Sequence, residues 1–437
     1  MNTTRTVAAG VTGLVAALAV SACSSSGAAV AGDSAGSASG KGQTLTIWEM
    51  NGDLTPATMK AINDQFEKKT GAKVDVQLQD WEGITTKLTT ALASSNPPDV
   101  VDVGNTQVPS YAAQGGLMDL TDHKADLQQG RTWLDGLVQP ATVDGQLYGV
   151  PSFAATRAVI YNKKMWAAAG ITQAPSTYQE LTADLDKVKA KYTASDFSAF
   201  YIPGKYWYDG LQWVWDAGGD IASPDGKNWK AAFASDKAQQ GLNDFQSFQN
   251  TYSSTASRTL DTEKPDQDQI FADGKTSAVV GNAWEIGVIQ KDNPKITNAD
   301  LGTFAFPGKS GSAQPVLLAG SDWSVPVKSQ HQDLALEWLK IAASPEVQDT
   351  YVFGKEGWIP NSNEGVKAAA GGKLTDIQKG YFTAAQHSKS TPAAANWSTI
   401  EGDNSLTEFF SSIASGTQTP ETAAQSFDAH IDSVLNG

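Results

Sequence analysis

One cysteine, four histidines and a shortage of basic residues set the first limits on this 437-residue chain. A lone thiol, Cys23, makes no internal disulfide. His123, His331, His387 and His430 stand too far apart for the short ligand spacings of zinc, so no metal, haem or other cofactor is expected. There is no Gly-x-Ser-x-Gly elbow and no Gly-x-x-x-x-Gly-Lys loop, which removes the sequence signatures of serine hydrolysis and of nucleotide binding. Lys and Arg number 32 against 47 Asp and Glu, a formal charge of -15, and this balance argues against nucleic acid or an anionic lipid surface as a direct partner. After Cys23 no apolar stretch reaches the length of a spanning helix. Internal repeats and heptad runs are missing too.

What is present begins with an export segment. Arg5 gives a positive start, Val7 to Val20 is apolar and rich in Ala, Gly and Val, and Val20-Ser21-Ala22-Cys23 closes it with small residues. This resembles the bacterial lipoprotein pattern, in which cleavage precedes a cysteine that then carries lipid, palmitate included. Residues 1–22 are therefore expected to leave as a signal peptide, and Cys23 to anchor the body at the outer face of the cytoplasmic membrane. Residues 24–43 are almost entirely Ser, Gly and Ala, too poor in large apolar groups to fold. They read as a tether with a reach of roughly 25 Å.

Residues 44–437 are too many for one compact core and suit two domains. Thr44 to Trp48 alternates as a strand, and Thr55-Pro56 opens a helix carrying Met59, Ile62 and Phe66 that stops at Gly71. Val74, Val76 and Leu78 alternate as a second strand. Ile84, Leu88 and Leu92 line a second helix, and Asp99 to Val103 follows as a third strand. The alternation predicts a parallel sheet with right-handed crossovers, whose ligands bind beyond the carboxyl ends of the strands. A second α/β unit starts near Ala154, with strands at 158–161, 277–281 and 301–306 and a capping box from Ser176 to Gln179. Leu334 to Ala342 forms an amphipathic stripe, and the last 60 residues read as helices.

Several stretches, taken together and in order, resemble one family. They are Pro98-Asp99-Val100, Tyr148-Gly149-Val150-Pro151, Tyr161-Asn162-Lys163, Pro175 to Leu181, and Phe271 to Lys275 leading to Gly281-Asn282-Ala283-Trp284. In this order and spacing the chain is similar to the extracellular solute-binding proteins of sugar importers, family 1, the relatives of maltodextrin-binding protein. The resemblance implies a two-lobed α/β periplasmic-binding-protein-like fold of type II, with the ligand between lobes. It places one lobe at 44–153 and about 314–360, and the other at about 154–313 and 361–437. It also implies a monomeric receptor that catalyses nothing and hands a small sugar or oligosaccharide to the permease of an ATP-driven importer.

A sugar offers C–H patches to an aromatic face and hydroxyls to polar groups around its edge. Thirteen tryptophans are many for this length. Trp166, Trp215 and Trp338 lie on core stripes. Trp48 and Trp81 end strands beside Glu49 and Glu82, which leaves them open between packing and ligand contact. Trp284 falls in a glycine-rich turn where the resemblance places a ring against the ligand, and Trp207, between Tyr206 and Tyr208, and Trp358 stand in apparent loops. The polar candidates are Glu49, Glu82, Asn105, Glu285 and Asp322, each also readable as a solvated surface group. Arg157 can fork either to hydroxyls or to a structural carboxylate.

Other classes share parts of this pattern. A polyamine or oligopeptide receptor suits the acidic balance; a surface lectin shares the anchor and aromatics but is normally all-β; a glycoside hydrolase needs two acids set across a bond, which no spacing here supplies. Replacing Cys23 with Ser is expected to release the protein from membrane fractions without changing its affinity for ligand. Continued sedimentation of the variant with membranes counts against the anchor.

Overall fold

The computed structural model describes residues 40–372 and 374–437. The export segment, Cys23 and most of the tether lie outside the described residues. The fold starts slightly earlier than the tether reading expects, because the Gly40 amide donates to the carbonyl of Thr70 (2.9 Å).

Strand β1 (Thr44–Met50) leads into a helix, Pro56–Thr70, for local reasons. Thr55 accepts from the Thr58 amide, Pro56 occupies the first turn, and Gly71 takes the left-handed conformation (φ 76°) that ends it. Met59, Ile62 and Phe66 are buried beneath this helix. Strand β2 (Lys73–Gln79), the helix Ile84–Ala93 and strand β3 (Val100–Gly104) repeat the unit. Further strands are β4 (Val150–Ala155), β5 (Arg157–Asn162), β6 (Ala278–Asn282), β7 (Leu301–Phe304) and β8 (Ala319–Ser324).

These eight strands form two sheets, with orders β2-β1-β3-β8-β4 and β6-β5-β7. The parallel reading holds for β1, β2 and β3. It fails for β8, which runs antiparallel to both β3 and β4. The reason is topological. β4 leaves the first sheet at its carboxyl end and passes through Thr156 into β5, so a chain returning from the second sheet re-enters at that same end and must run the other way.

Each sheet has its own core. Leu45, Ile47, Phe66, Trp323 and Trp338 pack together on one face of the first sheet, and Met50, Leu88, Val101 and Val103 on the other. The second lobe is aromatic, with Trp166, Phe200, Trp213, Phe248 and Phe306 in one cluster. A further cluster, including Leu137, Ala154, Ile160, Leu318 and Ile359, surrounds the crossing segments. Trp166, Trp215 and Trp338 are buried as their stripes predict.

Two local expectations are corrected. The capping box lies one residue later, between Thr177 and Glu180, because Thr177 has the extended backbone of an N-cap and the Glu180 carboxylate accepts from the Ser176 and Thr177 amides (2.8 and 3.2 Å). Trp207 is not in a loop; it starts the helix Trp207–Asp216.

That helix is positioned by the helix Asp236–Tyr252, which approaches closely at Gly241. A Cβ there would stand 2.4 Å from the carbonyl oxygen of Trp213 and 2.6 Å from the Cα of Val214. Gly241→Ala is thus an overpacking change expected to cost about 1–3 kcal/mol in urea unfolding. Unchanged stability would mean that the two helices separate freely.

Candidate functional site

The pleat of β1 sends Glu49 to one face and Trp48 to the other. Glu49 is fully buried, and one of its oxygens accepts from Trp323 Nε1 (3.3 Å). Its second oxygen has no partner among the described residues. Burial first, and then the charge of Asp53, push its pKa from 4.5 up to about 8. Asp102 accepts from the Met50 amide (3.1 Å), and burial pushes its carboxyl well above the ordinary range, reinforced by Glu49 and Asp53. Asp322, on β8, is buried with neither oxygen partnered among the described residues, and burial alone raises its pKa. These acids form the buried interior of the first lobe, held near neutrality by desolvation.

Trp48 lies half-buried against the helix Ile84–Ala93, its Nε1 donating to Gln77 (3.0 Å) and Lys87 5.3 Å from its ring centroid. Asn105 is a tie, donating through Nδ2 to the Leu318 carbonyl (3.0 Å) and so fixing the end of β3 to a crossing segment. Trp81 is 42% exposed and lies over Gly104; Glu82 beside it is exposed.

The other candidates converge. Arg157, the first residue of β5, donates from Nε to the Tyr206 hydroxyl (2.8 Å) and lies 3.6 Å from the ring centroid of Tyr208. Trp207 stacks on Tyr208 with centroids 3.7 Å apart. Arg157 Nη1 has no partner among the described residues. The Tyr206 hydroxyl and the Tyr208 ring hold the guanidinium, and no carboxylate pairs with it among the described residues.

Trp284 stands 62% exposed at the start of the helix Glu285–Asp292. Glu285 sets the turn that presents it: buried, it accepts from the Asn282 amide (2.9 Å), from Asn282 Nδ2 (3.1 Å) and from Gln267 Nε2 (2.8 Å). Nearby Asp268 is raised to about 8 by burial and then by Glu285. Trp358 stacks on Phe153 (4.7 Å) and donates to the Asp53 carbonyl (2.8 Å).

Three cavities meet around these rings. One of about 630 Å³ is lined by Arg157, Trp207, Asp268, Trp284 and Glu285 on the second lobe. A recess of about 70 Å³ at Ala154–Thr156 shares Asn282 and Trp284 with it, and shares Trp358 with a groove of about 660 Å³ on the first lobe that reaches Asp53 and Met59. The structure thus gathers Arg157, Trp207, Trp284, Glu285 and Trp358, while Trp48, Glu49, Trp81, Glu82, Asn105 and Asp322 line none of the three. Sequence reasoning missed Asp268, Tyr381 and Glu401. Glu401 accepts from Thr106 of the first lobe (3.3 Å) and from Trp397 of its own helix (2.7 Å). No local pattern marks such residues, because each acquires its partners only across the fold.

Residues 51–349 match the family model for bacterial extracellular solute-binding protein. The chain belongs to this family. Among its relatives, the diacetylchitobiose binding protein DasA of Streptomyces coelicolor is 36% identical over 433 residues, covering 97% of this chain and 98% of that one. The maltodextrin-binding protein MdxE of Bacillus subtilis is 24% identical over 380 residues, 84% of each chain. Among solved structures, the sugar-binding protein MalE of Xanthomonas citri aligns with a TM-score of 0.77 at 22% identity, over 90% of this chain and 98% of that one. These solute-binding proteins share the two-lobed fold, and the named relatives are binding proteins. No helix among the described residues of this solute-binding protein is long and apolar enough to cross a membrane.

The buried acids carry a pH consequence. A carboxyl whose folded pKa is raised keeps its proton in the native state while the unfolded chain has released it, so stability falls as pH rises from about 4.5 towards 8. Asp322→Asn removes one such ionisation. It is expected to raise stability at pH 8 by about 1 kcal/mol or more and to do much less at pH 4, close to the ordinary value of 3.8, as read by thermal unfolding at both values. An equal effect at the two pH values would deny that Asp322 is held protonated.

Proposed function

We propose that this solute-binding protein is the receptor of an ATP-driven importer, capturing a small sugar or short oligosaccharide between its lobes and delivering it to a membrane permease. In this reading it acts as a monomer anchored through Cys23 and performs no chemistry on its ligand. The lobes are those set out from the sequence, 44–153 with about 314–360, and about 154–313 with 361–437.

The observation that carries the reading is Trp284, an indole left 62% exposed at the junction of the 630 Å³ cavity and the crossing segments. A large apolar ring is costly to leave wet, and its face suits the C–H patch of a pyranose. Two residues lining the same cavity carry unpartnered polar atoms, Arg157 Nη1 as a donor and Asp268 Oδ1 as an acceptor, the two kinds of group that hydroxyls require. The names of DasA and MdxE support the same class, since diacetylchitobiose and maltodextrin are both built of pyranose rings. They differ in whether the ring carries acetamido groups. Asp261, Glu263 and Asp266 on the cavity rim favour a second reading, a polyamine, which Arg157 opposes.

Two lobes joined by several crossing segments imply open and closed forms, and a ligand touching both favours closure through contacts that exist only there. Trp284→Ala should weaken sugar binding roughly tenfold to a hundredfold in calorimetry while leaving the protein folded. Small-angle scattering should show the wild type compacting with sugar, and the variant compacting only at higher concentration. Unchanged affinity in the variant removes Trp284 as the platform, and tighter binding of spermidine than of any sugar replaces the carbohydrate reading.

A further inference from the structure

The recess at the crossing segments is about half the size of the ~150 Å³ cavity that accepts a benzene ring, so it has room for a small substituent and not for a pyranose. Its walls are mostly apolar: Ala155, Trp284, Trp358, Ile377 and Phe382. A bare sugar hydroxyl placed there would lose water against hydrocarbon. Of the four polar residues that line the same space, Thr156 donates to the Leu317 carbonyl and Gln378 caps Thr375, which leaves Tyr381 and Asn282. Tyr381 is 4% exposed, and its hydroxyl has no partner among the described residues. Asn282 is oriented by Glu285, which accepts from both its main-chain amide and its Nδ2, and this leaves the Oδ1 carbonyl as an acceptor. One donor, one acceptor and an apolar wall beside an exposed indole match the three parts of a secondary amide: its carbonyl, its N–H and its methyl group.

We infer that this recess is an acyl pocket, which takes the acetamido group of an N-acetylated amino sugar whose ring lies on Trp284. The Tyr381 hydroxyl donates to the acetamido carbonyl, Asn282 Oδ1 accepts its N–H, and the methyl group packs among Ala155, Ile377 and Phe382. The inference rests on the carbohydrate reading and narrows it. Because Asn282 and Trp284 line both the recess and the larger cavity, a ring on Trp284 reaches the recess with a substituent two or three atoms long. The unpartnered hydroxyl then has its purpose in the complex, where a buried donor without an acceptor is otherwise a standing cost.

The test compares N,N′-diacetylchitobiose, cellobiose and maltose by calorimetry, on the wild type and on two variants. Ala283→Leu extends an exposed residue of the recess into its space, and Tyr381→Phe removes only the hydroxyl. The wild type should prefer diacetylchitobiose over cellobiose by roughly tenfold to a hundredfold, from one buried methyl group and the hydrogen bonds of the amide. In each variant that ratio should fall towards one, with the melting temperature of Tyr381→Phe no lower than that of the wild type. Equal wild-type affinity for the first two sugars, binding of maltose alone, or a preference that survives in both variants would overturn the acyl pocket while leaving a sugar receptor. Binding of none of the three would overturn the carbohydrate reading and this inference with it.

Discussion

The chain passes between the two sheets at one place, the carboxyl end of the first sheet. β4 runs out of that end into β5 with Thr156 alone between them, and β8 returns into it from the second lobe. A third passage runs beside them, where Ile359 and Ala154 exchange main-chain hydrogen bonds of 2.8 and 3.1 Å. Ladder groups at these crossings are satisfied by neighbouring crossings rather than by water, which keeps the segments together in a narrow bundle. The same constraint turns β8 antiparallel and puts the open ends of β1 and β3 opposite the second lobe. It also fixes where a cleft can lie.

Aromatic side chains divide along that geometry. Trp166, Trp213, Trp323, Trp338 and Trp397 are fully enclosed in the cores of the lobes, where their area contributes most through burial. Those at the crossings are held by a stacked ring instead: Trp358 by Phe153, with its Nε1 donating to the Asp53 carbonyl, and Trp207 by Tyr208. Trp284 is held by its backbone alone, through the turn that Glu285 organises, so its ring is free to meet something else. Arg157 stiffens the opposite wall by lying against Tyr208 and donating to Tyr206, and a guanidinium fixed in this way loses little freedom on binding a hydroxyl.

Beneath the cleft, the first lobe carries Glu49, Asp102 and Asp322 where apolar residues would cost less. Desolvation keeps their protons on, and a protonated carboxyl is a neutral group with one donor. The arrangement makes the lobe's stability depend on pH without placing any of the three in the cavities. Asp53 differs in reaching the groove on the first lobe while accepting from Ser321 of β8. It thereby links the interior acids to the wall of that groove.

Much of this was legible in the residues themselves. Thr55, Pro56 and Gly71 bound their helix because caps act within a few residues, and the stripes of Met59, Ile62 and Phe66 or of Leu334 and Trp338 face cores because helical periodicity is local. The Asn282–Trp284 turn was visible through resemblance, and its indole is exposed. Periodicity separates the two faces of a strand but does not say what covers either one. Glu49 therefore read as a cleft residue and lies in a core, and Trp48 read as a strand tip and packs on a helix. The direction of β8, the cradle of Arg157, the tie from Asn105 to Leu318 and the pairing of Tyr381 with Asn282 around one recess were decided only by tertiary structure. Each brings together residues tens to hundreds of positions apart, and their chemistry depends on burial and on partners that no local run of sequence contains.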